Sequence, residues 1–359
     1  MSLKNLNRKP HFYGWDIGGA HLKVCQIKNI KDKDVIGAIQ IKCELWKGLK
    51  HLSQAIKKVE RNWSFNDNDR HFFTMTGEMV DYFPSRSDGV KNILEVLKGI
   101  FGHEVECYSQ ENTLLKLSSK NSWQTIASSN WHATANFVST HIKEGLLVDI
   151  GSTTTDLIPI KNGAPISKKN TSDSRRLKNG ELVYLGISRT SVSSIKPILK
   201  FKNCSYNVMR ESFASTADVF RITNELATEN DLYPTCDHKE KTKSASERRL
   251  ARIIGMDIDD ATSKEWEIFA NHIKAIMIKE LHTNIKKVIK RLNLSQQAPL
   301  IITGSGAFLA KQLSIENNFK YLMFHELVKK EFELKDLQIN EVNICAPAVA
   351  LAIIARKKC

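Results

Sequence analysis

The sequence has 359 residues, of which 42% are hydrophobic and 26% charged, and its formal net charge is +14 at pH 7. This length and composition predict a soluble globular protein with two domains. The lysines and arginines are spread along the chain without a recognised nucleic-acid motif. They favour an anionic small-molecule substrate, or simply a lysine-rich surface, over nucleic acid.

The cysteines and apolar segments indicate the cellular compartment of the protein. Its seven cysteines are scattered and include no Cys-x-x-Cys pair, which argues against a disulfide framework and a zinc site. Residues 1–10 contain no apolar segment of a secretory signal. The longest apolar run, 344–355, is shorter than the roughly 20 residues that cross a bilayer. We therefore expect a cytoplasmic protein without a membrane-spanning segment, and the oligomeric state stays open.

The first motif is an acidic glycine turn at residues 16–19, which follows an apolar strand and precedes the alternating stretch 24–27. Strand, tight turn and second strand are predicted, because no helix follows the glycines as a dinucleotide or P-loop site would need. Lys23 lies on the returning strand, where it can reach a phosphate or remain a solvated strand residue.

The next segments predict an amphipathic helix over 46–63 and a buried strand over 71–76. Strand ends in α/β domains commonly carry ligand groups. Glu78, Asp81 and Arg86 follow this strand, so they are candidates, with solvated loop charges as the alternative.

The second motif, residues 149–156 (DIGSTTTD), repeats the order of the first between the apolar stretches 146–148 and 157–160. Gly151 lets the backbone approach a ligand, and successive N–H groups and hydroxyls can donate to anionic oxygens. The carboxylates would face a metal bridging those oxygens. A surface hairpin is the alternative, and the repetition of the motif favours a phosphate site.

Further along, residues 168–179 are polar and basic and predict an exposed loop. Arg189 is available for an anion or a surface ion pair. Residues 230–246 lack apolar periodicity and predict a mobile loop that leads into a helix start at 247–255. The arginines of that helix start can clamp a phosphate or carboxylate, or simply be solvated.

The last third predicts a scaffold and another turn. Residues 266–292 have the spacing of an amphipathic helix of roughly 45 Å. Residues 299–309 predict a strand that leads through Gly304 and Gly306 into a helix, an arrangement that presents N–H groups to an anion or a ribose-like group. Residues 346–356 predict a closely packed helix of small residues.

The order of two Asp-x-Gly hairpins, a strand-Gly-x-Gly-helix and an alanine-rich last helix resembles the superfamily of actin, sugar kinases and heat-shock chaperone ATPases. The resemblance implies two ribonuclease-H-like domains facing across a phosphate-binding cleft. The first domain would span 1–140, which the C-terminal helix 345–356 can rejoin, and the second would span 141–344.

Four segments are similar to one subfamily, the hydantoinase/oxoprolinase-like proteins linked to tetrahydromethanopterin-dependent one-carbon transfer: residues 14–23, 74–78, 149–156 and 248–252. That subfamily includes a synthase of methanofuran biosynthesis. The resemblance implies condensation of an aminomethyl-furanmethanol diphosphate with the phenol of γ-glutamyltyramine, giving an aryl ether and diphosphate. The segments 161–178 and 231–246 match no motif of the subfamily.

The resemblance also suggests residue roles. Asp16 and Asp149 would hold Mg²⁺, and Asp156 or Glu78 would take the phenol proton. Arg248 or Arg252 would meet the glutamyl carboxylate. The groups expected to bind diphosphate are Gly18, Gly19, Lys23, Gly151, Ser152, Thr153 and Thr154.

Two other functions compete with this one. An ATP-dependent kinase or oxoprolinase-type hydrolase would bind ATP, with Gly304 and Gly306 contacting adenosine. A non-catalytic assembly or regulatory factor would work without Asp149.

Overall fold

The computed structural model describes residues 9–30, 32–102, 105–116, 123–166 and 172–359. The strands in this part of the chain are β1 Phe12–Ile17, β2 His21–Ile30, β3 Lys33–Lys42, β4 Arg70–Met75, β5 Glu106–Tyr108, β6 Leu114–Lys116, β7 Gly145–Ile150, β8 Thr155–Lys161, β9 Ala164–Pro165, β10 Leu182–Val183, β11 Ile198–Phe201, β12 Cys204–Asn207, β13 Leu300–Thr303 and β14 Tyr321–Met323. The α-helices are α1 Lys50–Trp63, α2 Arg86–Phe101, α3 Trp123–Ile126, α4 Asn130–Ser139, α5 Asp173–Asn179, α6 Thr216–Ile222, α7 Lys243–Arg252, α8 Ser263–Leu292, α9 Ala307–Glu316, α10 Phe324–Val328, α11 Asp336–Ile344 and α12 Ala346–Lys358.

Two mixed sheets organise the chain, and both follow the ribonuclease-H-like order. In the first sheet, β3-β2-β1-β4-β5-β6, the first three strands form an antiparallel meander and β4 runs parallel to β1. In the second sheet, β10-β8-β7-β13-β14, β7 likewise lies between its hairpin partner β8 and a strand from much later in the chain. The predicted α/β fold of the actin-like ATPase class is therefore confirmed.

The described residues divide into two compact units. The first unit holds those within 1–147, 158–173 and 322–359, and the second those within 148–157 and 174–321. The sequence-based boundaries assigned residues 141–147, 158–173 and 322–344 to the second domain, whereas the described residues of these ranges belong to the first unit. Their α11 lies against β3, where the Gln338 amide donates to the carbonyl oxygen of Ile36 at 2.6 Å.

Helix α12 packs directly on strand β1. Every residue from Ala346 to Ala355 is buried. The backbones meet at Gly14, where a Cβ atom would lie 2.2 Å from the carbonyl oxygen of Ala348 and 2.6 Å from the nitrogen of Ala352. The small-residue helix predicted from the sequence is thus confirmed, and its small side chains allow the close approach.

We expect the Gly14→Ala variant to lose about 3 kcal/mol of unfolding free energy, because the methyl group would meet rigid backbone atoms. The matched control is Gly99→Ala in α2, where a Cβ has no atom within 4 Å. That control should gain about 0.5 to 1 kcal/mol, because alanine favours a helix interior more than glycine does. Urea unfolding measures both, and equal stabilities would contradict the packing described for α12.

The second unit is built on α8, whose 30 residues confirm the long amphipathic helix predicted over 266–292. Thr262 and Glu265 close its N-terminus with a reciprocal capping box. Trp266, Phe269 and Ile273 pack from it into a core formed with α6 and α7.

One predicted loop is wrong in the part that the structure describes. Residues 168–171 of the polar stretch 168–179 lie outside the described ranges, but residues 173–179 form α5. The loop was predicted because a polar and basic stretch was expected to lie in solvent. Its Arg176 is only 2% exposed, and it is buried through an ion pair rather than through apolar packing.

Taken singly, none of the described helices is long and apolar enough to cross a membrane. Together α11 and α12 satisfy a test of length and composition, but only as a pair bent by 96°.

Acid should destabilise the first unit through His132 of α4, which is 6% exposed and hydrogen-bonded to the Tyr108 hydroxyl at 2.9 Å. Burial disfavours the imidazolium and lowers the pKa of His132 from 6.5 to about 4. Its neutral form stabilises the folded state above pH 6.5, and this contribution is lost as pH falls towards 4, up to about 3 kcal/mol.

Unfolding free energies measured between pH 7 and pH 4 test this expectation. The His132→Gln variant should show a shallower loss than wild type, whereas His238→Asn, at an exposed position, should follow wild type. An unchanged slope in His132→Gln would refute the assignment.

Candidate functional site

The first Asp-x-Gly turn connects β1 to β2 in the first unit. Asp16, near the end of β1, is 3% exposed. The Gly18 N–H donates to the carbonyl oxygen of His21 at 2.9 Å, and a Cβ on Gly18 would crowd that same oxygen. A Cβ on Gly19 would lie 2.6 Å from Val80 Cγ1. The predicted hairpin is confirmed and both glycines are needed for its packing, while phosphate binding by them remains a prediction.

Lys23 lies directly opposite Asp16 in the β1–β2 register. Directly opposed residues of an antiparallel pair point to the same face of the sheet, so the ammonium and carboxylate share one face. Both act electrostatically on Cys345, the residue between α11 and α12, whose pKa is raised to about 12 chiefly by burial. Sequence reasoning did not place the start of the C-terminal helix beside this pair.

Glu78 belongs to a buried polar cluster next to the first turn. Its carboxylate is 1% exposed, and Oε1 accepts from Arg86 Nη2 at 3.0 Å and from Ser128 Oγ at 2.9 Å. Burial raises the pKa of Glu78, although Arg86 opposes the shift. Oε2 is buried without a hydrogen-bond partner among the described residues. The structure thus brings together two sequence candidates, Glu78 and Arg86, and adds Ser128, which sequence reasoning missed.

The second Asp-x-Gly turn connects β7 to β8, which confirms the predicted hairpin. Its Gly151 N–H donates to the carbonyl oxygen of Thr154 at 2.8 Å, and the hydroxyls of Ser152 and Thr153 lie 3.4 Å apart. Asp149, on β7 just before the turn, is 9% exposed. The hydroxyl groups of residues 152–154 therefore lie together on one tight turn, which we call the hydroxyl turn.

Asp156, on the far side of this turn, forms an ion pair with Arg176 of α5. The side chain of Arg176 is 3% exposed and that of Asp156 is 16% exposed. A buried guanidinium needs a charged partner, so this pair has a structural role whatever else Asp156 does.

A second segment, residues 186–189, packs against the hydroxyl turn. A Cβ on Gly186 would lie 2.4 Å from the carbonyl carbon of Ser152. The N–H groups of Ser188 and Arg189 both donate to the carbonyl oxygen of Ser152, at 3.1 Å and 2.9 Å. Sequence reasoning singled out Arg189 by its charge but did not predict this contact, because it depends on a glycine far along the chain.

The third glycine turn packs on the same hairpin from another side. Gly304 has φ +88°, and a Cβ there would lie 2.3 Å from the carbonyl oxygen of Ile150 and 2.4 Å from Asp149 Oδ1. The Gly306 N–H donates to Ile150 O at 2.8 Å, and α9 begins at the next residue. The predicted strand, glycine turn and helix are confirmed. In the second unit, residues 149–154, 186–189 and 304–306 form one cluster of backbone turns.

The arginines of α7 lie in its second half, so the predicted helix start at residue 247 is wrong; Thr242 caps the helix. Arg249 is 1% exposed and binds Asp218 at 2.8 Å. Arg248 Nη2 lies 3.1 Å from Glu240 Oε1, and Arg252 is exposed. Arg249 therefore has a structural role, while a substrate role for Arg248 and Arg252 remains a prediction.

The donor chemistry of the Asp-x-Gly turns suits Mg²⁺ only together with a phosphate ligand. Within the described ranges no three His, Cys, Asp or Glu side chains group as a metal cluster. Magnesium is commonly held by one or two carboxylates plus substrate phosphates and water. Asp16 in the first unit and Asp149 in the second each offer one carboxylate beside backbone N–H groups.

These features define an α/β protein with the actin-like ATPase fold. The chain belongs to the hydantoinase/oxoprolinase family, whose model matches residues 73–353. It is 30% identical over 348 residues to (4-{4-[2-(gamma-L-glutamylamino)ethyl]phenoxymethyl}furan-2-yl)methanamine synthase of Methanocaldococcus jannaschii, covering 96% of this chain and 97% of the relative.

A protein of the same name from Methanococcus vannielii is 31% identical over 229 residues, which cover 62% of this chain and 96% of that relative. Among solved structures, nucleotide-free acetone carboxylase is similar with a TM-score of 0.58 and 10% identity, over 95% of this chain and 69% of that chain. At this identity the likeness shows the fold alone.

Proposed function

We propose that this protein is a synthase that joins an aminomethyl-furanmethanol diphosphate to the phenol of γ-glutamyltyramine. The phenolic oxygen forms a bond to the furan-bound CH₂, the bond from that carbon to the diphosphate oxygen breaks, and the phenol loses its proton. The observation that supports this most is the 30% identity, over nearly the full length of both chains, to a synthase whose name describes the resulting ether. The product would serve methanofuran-type cofactor synthesis and tetrahydromethanopterin-linked one-carbon metabolism.

The hydroxyl turn of the second unit would bind the leaving diphosphate. The N–H of Gly151 faces into its own turn, to Thr154 O, so the side-chain hydroxyls of residues 152–154 would supply the main donors. In the first unit the Gly18 N–H is likewise bonded within its own turn, to His21 O, so Gly18 and Gly19 would let the backbone approach the diphosphate and Lys23 would supply a cation. Such groups help most when they meet the charge that develops on the departing oxygen.

Asp16 of the first unit and Asp149 of the second would each offer Mg²⁺ a carboxylate oxygen, directly or through water. When bound, the ion neutralises charge on the diphosphate and makes it a better leaving group. The closeness of Gly304 to Asp149 Oδ1 would hold this carboxylate in one orientation, because the glycine turn leaves it little room to move.

The phenol proton would go to Glu78 rather than to Asp156. The pKa of Glu78 is raised by burial, which makes the carboxylate a stronger base, whereas Asp156 is committed to the Arg176 ion pair. Arg86 and Ser128 hold Oε1 of Glu78, so the buried Oε2 would be the atom that accepts the proton, through an intervening water. Arg248 or Arg252 would meet the glutamyl carboxylate.

Purified protein, Mg²⁺, the furanmethanol diphosphate and γ-glutamyltyramine test this function when the ether is measured by mass spectrometry. A parallel reaction with ATP alone measures ADP. Ether formation without nucleotide is expected. Formation of ADP and no ether would replace the synthase with an ATP-dependent kinase or hydrolase, and neither product with competent substrates would favour a non-catalytic factor.

A further inference from the structure

The segment that carries Arg189 is held rigidly in the second unit. The Gly186 N–H donates to Thr190 Oγ1 at 2.9 Å, and the hydroxyl of Thr216 donates to the carbonyl oxygen of Gly186 at 2.8 Å. The Thr216 N–H also donates to the carbonyl oxygen of Thr190 at 2.8 Å. These bonds tie the segment to the start of α6, so Arg189 projects from a fixed turn rather than from a loose loop.

Arg189 is also fixed to the hydroxyl turn itself. Its N–H donates to the carbonyl oxygen of Ser152 at 2.9 Å, next to the bond from Ser188 to the same oxygen. The side chain is exposed. The backbone bond therefore fixes the backbone of a permanently charged residue next to the residues whose hydroxyls would bind the diphosphate.

Tyr233 constrains the guanidinium. Arg189 Cζ lies 5.4 Å from the centroid of the Tyr233 ring, within the range of a cation–π contact. A guanidinium over an aromatic ring uses its face for that contact and keeps its donors in the plane, where they match the geometry of phosphate oxygens. Tyr233 lies in the segment 231–246, for which the sequence supplied no function.

We propose that Arg189 is a further diphosphate-binding residue of this site and that Tyr233 is its positioning residue. The proposal deepens the synthase function and rests on it for the identity of the ligand. It assigns the positive charge beside the hydroxyl turn to Arg189, which the sequence left open between an anion and a surface ion pair, rather than to an arginine of α7.

Binding of inorganic diphosphate with Mg²⁺, measured by titration calorimetry on the full chain, tests the proposal. We expect Arg189→Gln to weaken binding about tenfold, the loss of a charge-assisted contact. Arg189→Lys should bind with intermediate affinity because it keeps the charge but loses the planar fork. Tyr233→Leu should weaken diphosphate binding less than Arg189→Gln does. The thermal unfolding midpoint of Arg189→Gln should stay within a few degrees of wild type.

The matched control is Arg210→Gln, an exposed arginine of the same unit, which should bind diphosphate like wild type. If Arg189→Gln and Arg210→Gln weaken binding equally, the effect of Arg189 is one of general surface charge and the proposal is overturned. A wild-type protein that binds no diphosphate would also overturn it. If diphosphate binds through Arg189 but no ether forms, the synthase function fails while the anion site stands.

Discussion

Substitution of Asp149 by asparagine is expected to reduce turnover about a thousandfold, the order of loss seen when a group that stabilises developing charge is removed. The change replaces one carboxylate oxygen with an amide NH₂ group of nearly the same size and removes one negative charge. Asp149 lies just before the hydroxyl turn and beside Gly304, so its carboxylate adjoins the proposed diphosphate site of the second unit. Ether and diphosphate release are the quantities to measure.

The control is Asp259→Asn, which removes the same charge from an exposed position of the second unit. It should keep wild-type turnover. Circular dichroism and thermal unfolding would show that Asp149→Asn remains folded. A folded Asp149→Asn protein with full activity would refute the role assigned to Asp149 and favour a non-catalytic function.

The Gly304→Ala variant is expected to lose both stability and turnover. Its φ of +88° is strained for alanine, and its Cβ would meet the carbonyl oxygen of Ile150 at 2.3 Å and Asp149 Oδ1 at 2.4 Å. Since backbone cannot yield as a flexible side chain does, the second hairpin must shift. We expect a loss of more than about 3 kcal/mol and turnover too low to measure.

The Gly255→Ala variant separates the effect of the steric clash at Gly304 from the effect of backbone strain at a positive φ. Gly255 also has a positive φ, +74°, but its Cβ would meet only the flexible end of Met209 at 3.2 Å. This variant should lose about 1 kcal/mol from backbone strain and keep its turnover. Urea unfolding and turnover assays compare the two, and a Gly304→Ala protein no worse than Gly255→Ala would contradict the packing described around Asp149.

The local parts of this fold could be predicted from sequence because their signals are local. The two hairpins follow from apolar strands on either side of Asp-x-Gly, and α8 follows from its 3.6-residue periodicity. The third glycine turn was recognised by the strand before it and the helix after it. Each of these elements is defined within about a dozen neighbouring residues.

The missed features depend on residues far apart in the chain. Arg176 was expected in an exposed loop and Arg249 either at an anionic ligand or in solvent, but each is buried against an aspartate. Gly304 was interpreted as part of a turn that presents N–H groups to a ligand, and Gly186 was not singled out. The contacts show that both are required where backbone meets backbone. Such pairings carry no periodic signal, so a single sequence does not reveal them.

The measurement that tests the central claim most directly is the ratio of ether to diphosphate formed by the purified protein with Mg²⁺ and no nucleotide. The synthase function predicts one ether for each diphosphate released and no stimulation by ATP. Diphosphate release without ether, or ether formation that requires ATP and yields ADP, would contradict it.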